Sequence, residues 1–279
     1  MRRLRCSAGW ESWCLWCGGT FDNVNTLRFL GTGTSSGVPI LGCDCETCRS
    51  DDPHDTRFRT SAYITTATGT QLLIDAGPDF RLQALKHDIR WLDGILITHT
   101  HNDHIGGLDE LRQLNFLMKR PLDIYGNELT LAEIQSRFRY IFTLTQEGGG
   151  KPQLELHRVE AQRAFAINGQ TILPLEVFHG VIPILGFQIG DLSYITDASF
   201  LPPNTLEALK HTKILVLNAL RFRYHPTHFT LEQSLEIIRQ IQPDTAYLVH
   251  MTHDIKHAEV EHSLPPNVHL AYDDLAITF

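Results

Sequence analysis

A chain of 279 residues is long enough to bury a full core without disulfide or metal staples, and 42% hydrophobic with 20% charged residues is the balance of a globular chain, not a disordered one. A formal charge of -8 offers no broad basic field for gripping long nucleic acid. No apolar stretch reaches the roughly 18 residues that a membrane-spanning helix needs.

Residues 1–26 stand apart. Three of the four Trp and three of the six Cys lie there, with Arg2, Arg3 and Arg5 but no apolar core or small-residue cleavage site of a signal peptide. Cys14 and Cys17 have the spacing of half a zinc site or a redox pair, yet no partner pair follows closely. The segment reads as a disordered extension or an overextended start, and 27–279 as one domain with no internal repeat or linker.

Strand-like apolar runs follow at 26–30, 61–65, 71–74, 94–98, 122–125, 171–177, 184–189, 193–195, 214–217 and 245–249. Helical patterns fall at 108–118, 128–138, 203–210 and 231–241, the last with Leu231, Leu235 and Ile238 at helical spacing. Strands mixed with helices throughout predict a layered α/β chain. Gly148, Gly149 and Gly150 break the pattern as a mobile loop, because three glycines carry a large ordering cost.

The sharpest chemical signal lies at the end of run 94–98, where His99, His101, Asp103 and His104 place four ligand-type side chains within six residues. Alternate residues of an extended strand point the same way, so His99 and His101 share a side, while Asp103 and His104 fall where the chain turns toward the helix from Leu108. Neutral imidazole and carboxylate suit Zn, Mn or Fe, and two sets aimed at neighbouring positions bind two ions. A chance histidine-rich loop is the bland alternative, and the strand-loop-helix setting with Gly106 and Gly107 argues against it.

His99, His101, Asp103 and His104 match the H-x-H-x-D-H motif, and on them the chain resembles the metallo-β-lactamase superfamily. The resemblance implies a four-layer αββα sandwich in a single domain and three further ligands at strand ends, for which His179, Asp197 and His250 stand in order. By the same resemblance His99, His101 and His179 hold one divalent ion, Asp103, His104 and His250 hold the second, and Asp197 bridges them. Asp75, matching an earlier family Asp, is implied to support the ligand loop.

Cys43, Cys45 and Cys48 bring three thiols into six residues, one ligand short of a tetrahedral Zn site. His253, three residues past His250, can complete a structural Cys3His site; reduced free cysteines are the alternative. Together with Gly31, Gly33 and the following Thr34, Ser35, Ser36 and Gly37, this run is similar to the PhnP-like cyclic-phosphate phosphodiesterases, over roughly residue 27 to the end. No G-x-G-x-x-G or Lys-Ser/Thr is completed, so the glycine-rich turn reads as close backbone packing and not a nucleotide loop. The family also carries a histidine that is not a ligand. His228, expected to open the helical run that follows, fits that place, and Arg221 resembles a residue that meets substrate phosphate.

The implied function is hydrolysis of a small, cyclic or nucleotide-like phosphodiester, with two active-site ions (Zn or Mn), one structural Zn, Asp103 essential and His228 as general acid. The implied setting is cytoplasmic, with no membrane or stable nucleic-acid partner and room for a homodimer. Ribonuclease Z is the enzyme rival, but its tRNA-gripping arm lies between the ligands matching His179 and Asp197, where this chain has seventeen residues. Lactamase and thioesterase chemistry share the ligands, and a non-catalytic scaffold is disfavoured because all seven ligand candidates are present.

Overall fold

The computed structural model describes residues 24–143 and 150–279. Cys14, Cys17, Gly148 and Gly149 lie outside the described residues, as does nearly all of the 1–26 extension. In chain order the first half comprises β1 (Thr26–Gly31), β2 (Ser61–Thr65), β3 (Gln71–Ile74), α1 (Phe80–Lys86), β4 (Gly94–Leu96), α2 (Asn102–Ile105), α3 (Arg112–Met118), β5 (Leu122–Gly126), α4 (Glu128–Arg137), α5 (Arg139–Phe142) and β6 (Leu154–Arg158). The second comprises β7 (Phe165–Ile167), β8 (Gln170–His179), β9 (Ile182–Ile189), β10 (Leu192–Tyr194), α6 (Pro203–Leu209), β11 (Ile214–Asn218), α7 (Leu231–Ile241), β12 (Thr245–Val249), α8 (His257–Glu261), β13 (Val268–Leu270) and β14 (Ala276–Thr278).

The strands form two seven-stranded sheets, ordered β14-β1-β2-β3-β4-β5-β6 and β13-β12-β11-β10-β9-β8-β7. Each is half antiparallel and half parallel: β3 to β6 run parallel in one, and β10 to β13 in the other. Strand alternation divides their apolar residues between two faces. Leu72 and Ile74 of β3 and Val216 of β11 meet in the core between the sheets. Leu73 faces the other way, under Phe80 of α1, Leu114 of α3 and Ile134 of α4. Leu215 and Leu217 pack with Leu209 of α6, Ile238 of α7 and Val260 of α8. The layers are therefore helix, sheet, sheet, helix: the fold expected from the motif.

α7 shows how directly local chemistry sets an element. Thr230 Oγ1 accepts from the Gln233 amide at 3.2 Å while Gln233 Oε1 accepts from the Thr230 amide at 2.9 Å, a reciprocal cap whose loss costs about 1 kcal/mol. Leu231, Ile238 and Ile241 are then buried on one stripe.

Run 94–98 is shorter as a strand than its apolar pattern predicts. Past Leu96 the ladder stops, because the Thr98 amide donates to Asp75 Oδ1 at 2.8 Å and the Thr98 carbonyl accepts from Leu185 of the opposite sheet at 3.0 Å. The chain thus leaves its sheet just before His99. The single helix expected at 108–118 is a 3-10 turn, Leu108–Leu111, followed by α3. β6, β7, β13, β14 and the short helices α1, α2, α5 and α8 were not anticipated from the sequence.

Candidate metal centre

In both sheets the C-terminal ends of the parallel strands open on one cleft, the usual place for a site in parallel sheets. Asp75 follows β3, His99 to His104 follow β4, Asp197 follows β10, and His250 follows β12, while His179 ends β8. Asp75, Asp197 and His250 have φ of 60°, 58° and 59°. Non-glycine residues in this left-handed region cost about 1 to 3 kcal/mol each, and such strain persists where surrounding structure imposes it, often at functional sites. Gly77 shows how closely the backbone packs here, since a Cβ on it would lie 2.0 Å from the Asp103 carbonyl oxygen. At Gly31 a Cβ would lie 2.0 Å from the Arg59 carbonyl, in keeping with a packing role for the glycine-rich turn.

Two groups of donors form. His99, His101 and His179 are one, and Asp103, His104, Asp197 and His250 the other, with the donor atoms of each group all within 4.8 Å of one another. His104 Nε2 lies 3.3 Å from both Asp103 Oδ2 and Asp197 Oδ1, and His250 Nε2 lies 3.1 Å from Asp197 Oδ2. His99 Nε2 lies 3.8 Å from Asp197 Oδ2, which places Asp197 between the groups. Ligands about 2.1 Å from a tetrahedral ion stand about 3.4 Å apart, so these spacings are those of a coordination shell. His99 Nε2 and His104 Nε2 are buried without a hydrogen-bond partner, which a metal would supply.

Outer contacts orient these imidazoles. His104 Nδ1 donates to Asp75 Oδ2 at 2.7 Å, and His179 Nδ1 to the Asp197 carbonyl at 2.8 Å. Thr98 Oγ1 lies 2.8 Å from Asp75 Oδ2 and 3.0 Å from His99 Nδ1. Burial opposes ionisation of Asp103 and Asp197, but neighbouring histidines outweigh it and hold both well below the ordinary carboxylate range. Burial likewise opposes charge on His104, yet Asp197, Asp103 and Asp75 push it far above the usual imidazole value. A pocket that draws a buried imidazole toward a cation is a pocket that suits a divalent ion.

His228 Nε2 lies 3.1 Å from Asp197 Oδ2, and with His179 and Asp197 it makes a third donor group. Burial lowers it from 6.5 to about 4 although Asp197 opposes the shift. It does not open a helix: α7 begins at Leu231 behind the Thr230 cap, so His228 sits in the preceding loop. That loop also lines a cavity of about 460 Å³ with Thr34, Ser35, Ser36, Arg221, Arg223 and His225. Arg221 borders the cavity, but its guanidinium donates to the Arg223 and Tyr224 carbonyls at 3.2 Å. Arg223 and His225 drew no attention in the sequence, where they differ in nothing from an ordinary basic loop.

Cys43, Cys45 and Cys48 gather around His253, their Sγ atoms 3.3, 3.3 and 3.4 Å from its Nδ1. Zn–S of about 2.3 Å and Zn–N of about 2.0 Å give an S···N edge near 3.5 Å, so the four atoms fit a tetrahedron. The Cys48 amide lowers Cys45 to about 7, whereas burial raises Cys48 to about 11, and a cation would be needed to hold it as thiolate.

A family model described as the β-lactamase superfamily domain matches residues 70–251. A crystal structure of a new diphosphatase from the PhnP family is 40% identical with a TM-score of 0.85, covering 91% of this chain and 97% of that one. An octanoyltransferase of Porphyromonas gingivalis (strain ATCC BAA-308 / W83) is 42% identical over 88% of this chain, which spans only 50% of that relative's length. Zn(2+)-bound PqqB from Methylobacterium extorquens shares the fold, with a TM-score of 0.73 at 18% identity over 91% of this chain and 100% of that one.

Proposed function

We propose that this chain, which belongs to the β-lactamase superfamily and within it to the PhnP family, hydrolyses small phosphodiesters at a pair of divalent ions. Membership makes it a metal-dependent hydrolase. The observation that carries the finer reading is Asp197, whose carboxylate lies between two donor groups and within 3.1 Å of His228. His99, His101 and His179 would hold one ion, Asp103, His104 and His250 the other, and Asp197 both. Zn or Mn bound there lowers the pKa of a water nucleophile and neutralises the charge that grows on phosphoryl oxygens.

His228 supplies what the ions do not, a proton for the departing alkoxide. Asp197 can only accept, so a hydrogen of that contact sits on His228 Nε2, beside the ligands and facing the cavity, and the ring donates it as imidazolium, a charge that Asp197 favours and burial opposes. Arg221 and Arg223 give the cavity two cations for a phosphate or a second anionic group. The Cys3His group would hold a structural Zn, which would tie residues 43–48 to the segment bearing His250.

The cavity suits a small substrate. Residues 180–196, where a tRNA-gripping arm would be inserted, are β9, β10 and short turns, which favours a small ester over tRNA. The match to a protein described as a diphosphatase adds diphosphate diesters to the candidates, since their phosphorus also carries two bridging and two non-bridging oxygens. The setting we favour is cytoplasmic, with reduced thiols and a homodimer; among the described residues no helix is long and apolar enough to cross a membrane.

The test is turnover of bis-p-nitrophenyl phosphate by Zn- or Mn-loaded protein, followed by cyclic phosphates and diphosphate diesters. Turnover that is lost in Asp103→Ala supports the reading. A fully metal-loaded protein that cleaves none of them overturns it.

A further inference from the structure

The thiols of Cys43, Cys45 and Cys48 stand 205 to 210 residues from His253 in sequence, so their meeting depends on whatever joins the two segments. The imidazole itself has little to steer it. His104 and His179 are each turned by a hydrogen bond on Nδ1, at 2.7 and 2.8 Å. His253 Nε2 has no hydrogen-bond partner among the described residues and lies 3.9 Å from Asp254 Oδ1. The direction of this ring is therefore set by the backbone that carries it.

Arg57 fixes that backbone. Its side chain is fully buried, and its guanidinium donates from Nη1 to the Thr252 carbonyl at 3.0 Å and from Nη2 to the Ile255 carbonyl at 2.7 Å, which brackets His253 on both sides. Nη2 also donates to Asp55 Oδ1 at 3.2 Å, and the same oxygen accepts from the His257 amide at 2.8 Å. The backbone of Arg57 holds the other segment. Its amide donates to the Val38 carbonyl at 2.7 Å and its carbonyl accepts from the Val38 amide at 2.9 Å, at the foot of the loop that carries the thiols. In that loop the Ile40 amide donates to Cys48 Sγ at 3.3 Å.

The energetics of the pair favour a role in shape over one in stability. Two charges taken out of water regain in attraction about what they lose in hydration, and apolar residues can often replace such a pair without loss. Arg57 carries a further cost, since its Nε is buried without a partner. What an apolar pair cannot supply is a planar fork that spans two carbonyls on either side of one ligand, and a lysine would offer only a point charge.

We propose that Arg57 is a positioning residue that presets the Cys3His group, with Asp55 holding its guanidinium in place, so that His253 Nδ1 faces the thiols before a metal binds. The proposal rests on the reading of that group as a Zn site. It gives to Arg57 the task that an outer hydrogen bond performs for His104 and His179.

Arg57→Lys tests it, because the charge beside Asp55 is kept and the fork is lost. The wild type, reloaded with Co(II) after Zn removal, should show the thiolate charge-transfer and tetrahedral ligand-field bands of a Cys3His site, and the variant should show them shifted or weakened. Chelator competition should find Zn held about 10- to 100-fold less tightly at this site, the usual scale for outer contacts, with a smaller loss for the exchangeable ions. A double variant, Asp55→Asn with Arg57→Met, removes both charges at once and leaves no carboxylate buried alone, so it carries the test where Arg57→Lys does not fold. It should lose the same affinity even with a Tm near that of the wild type. A folded variant with the Co(II) spectrum and Zn affinity of the wild type overturns the proposal, and so do equal losses at both classes of ion, which mark a general loosening. A wild type without thiolate bands sinks the Zn reading itself. Nuclear Overhauser contacts between the His253 ring and the cysteine β-protons of the metal-free protein then decide this proposal alone: it requires them in the wild type and their loss in the variants, and it falls if the wild type lacks them.

Discussion

Asp75 Oδ2 accepts a 2.7 Å hydrogen bond from His104 Nδ1, and both side chains are fully buried. The contact decides which nitrogen of His104 is free. With Nδ1 donating, Nε2 is the nitrogen that faces Asp103 and Asp197 at 3.3 Å, where a bound ion would take the place of the proton those carboxylates draw onto it.

Asp75→Asn tests that link with little change of shape. Its oxygen can still accept from the Thr98 amide, but its NH2 would then face the His104 N–H, and the imidazole must move its hydrogen to Nε2 to avoid two opposed donors. Metal affinity, measured by chelator competition, should fall about 10- to 100-fold, with activity falling alongside. An unchanged affinity would leave Asp75 with a purely structural place.

Cys45→Ser should separate two classes of metal. The wild type is expected to keep one tight Zn after mild chelation that strips the exchangeable pair, and the variant to lose it. Because Cys43, Cys45 and Cys48 all lie within 3.4 Å of His253 Nδ1, and His253 is three residues from His250, Tm should fall as well. Metal content and Tm equal to the wild type would remove the structural zinc.

The two halves of the site differ in how legible they were. His99, His101, Asp103 and His104 could be read because four donor residues fall within six positions and a strand-to-helix turn crowds them together. His179, Asp197 and His250 needed the family resemblance, since a single His or Asp after an apolar run is also an ordinary turn residue. The strand and helix runs gave a layered α/β chain and the resemblance implied the αββα order, which runs such as 71–74 and 214–217 fit because helices cover one face of the strand and a second sheet the other. What could not be read is set by contacts distant in sequence or by backbone shape. The early end of β4 depends on Leu185, the left-handed Asp75, Asp197 and His250 have no residue-type signal, and the hold of Arg57 on the backbone around His253 exists only because two distant segments meet. Arg221 was singled out by the resemblance alone, since nothing in its neighbourhood marks it in the sequence; it borders the cavity while its guanidinium donates to its own loop.

Asp273 makes a pH-dependent prediction away from the metal donors. Its oxygens accept from Thr32 Oγ1 at 2.8 Å and from the Phe58 amide at 2.6 Å, yet burial dominates and raises it from 3.8 to about 7. A folded-state value above the unfolded one means that the native state binds the extra proton. This contribution to stability is full below about pH 4 and is lost as pH rises through about 7. Tm followed from pH 5 to 8 should therefore fall more steeply in the wild type than in Asp273→Asn, which cannot ionise. Parallel curves would show that Asp273 ionises in the folded protein much as it does in water.

His228→Ala distinguishes a proton donor from a ligand. Its Nε2 stands 3.1 Å from Asp197 Oδ2, close enough that distance alone assigns neither role, but the two donor groups are complete without it. The variant should therefore keep the metal content of the wild type. A general acid typically contributes about 100- to 10,000-fold, and its absence matters most when the leaving group is a poor anion. The variant should be severely slowed on an alkyl phosphodiester and much less on a p-nitrophenyl ester, whose leaving group departs without a proton. Equal losses on the two esters would point to substrate positioning, and a lost ion would make His228 a ligand to the centre it borders.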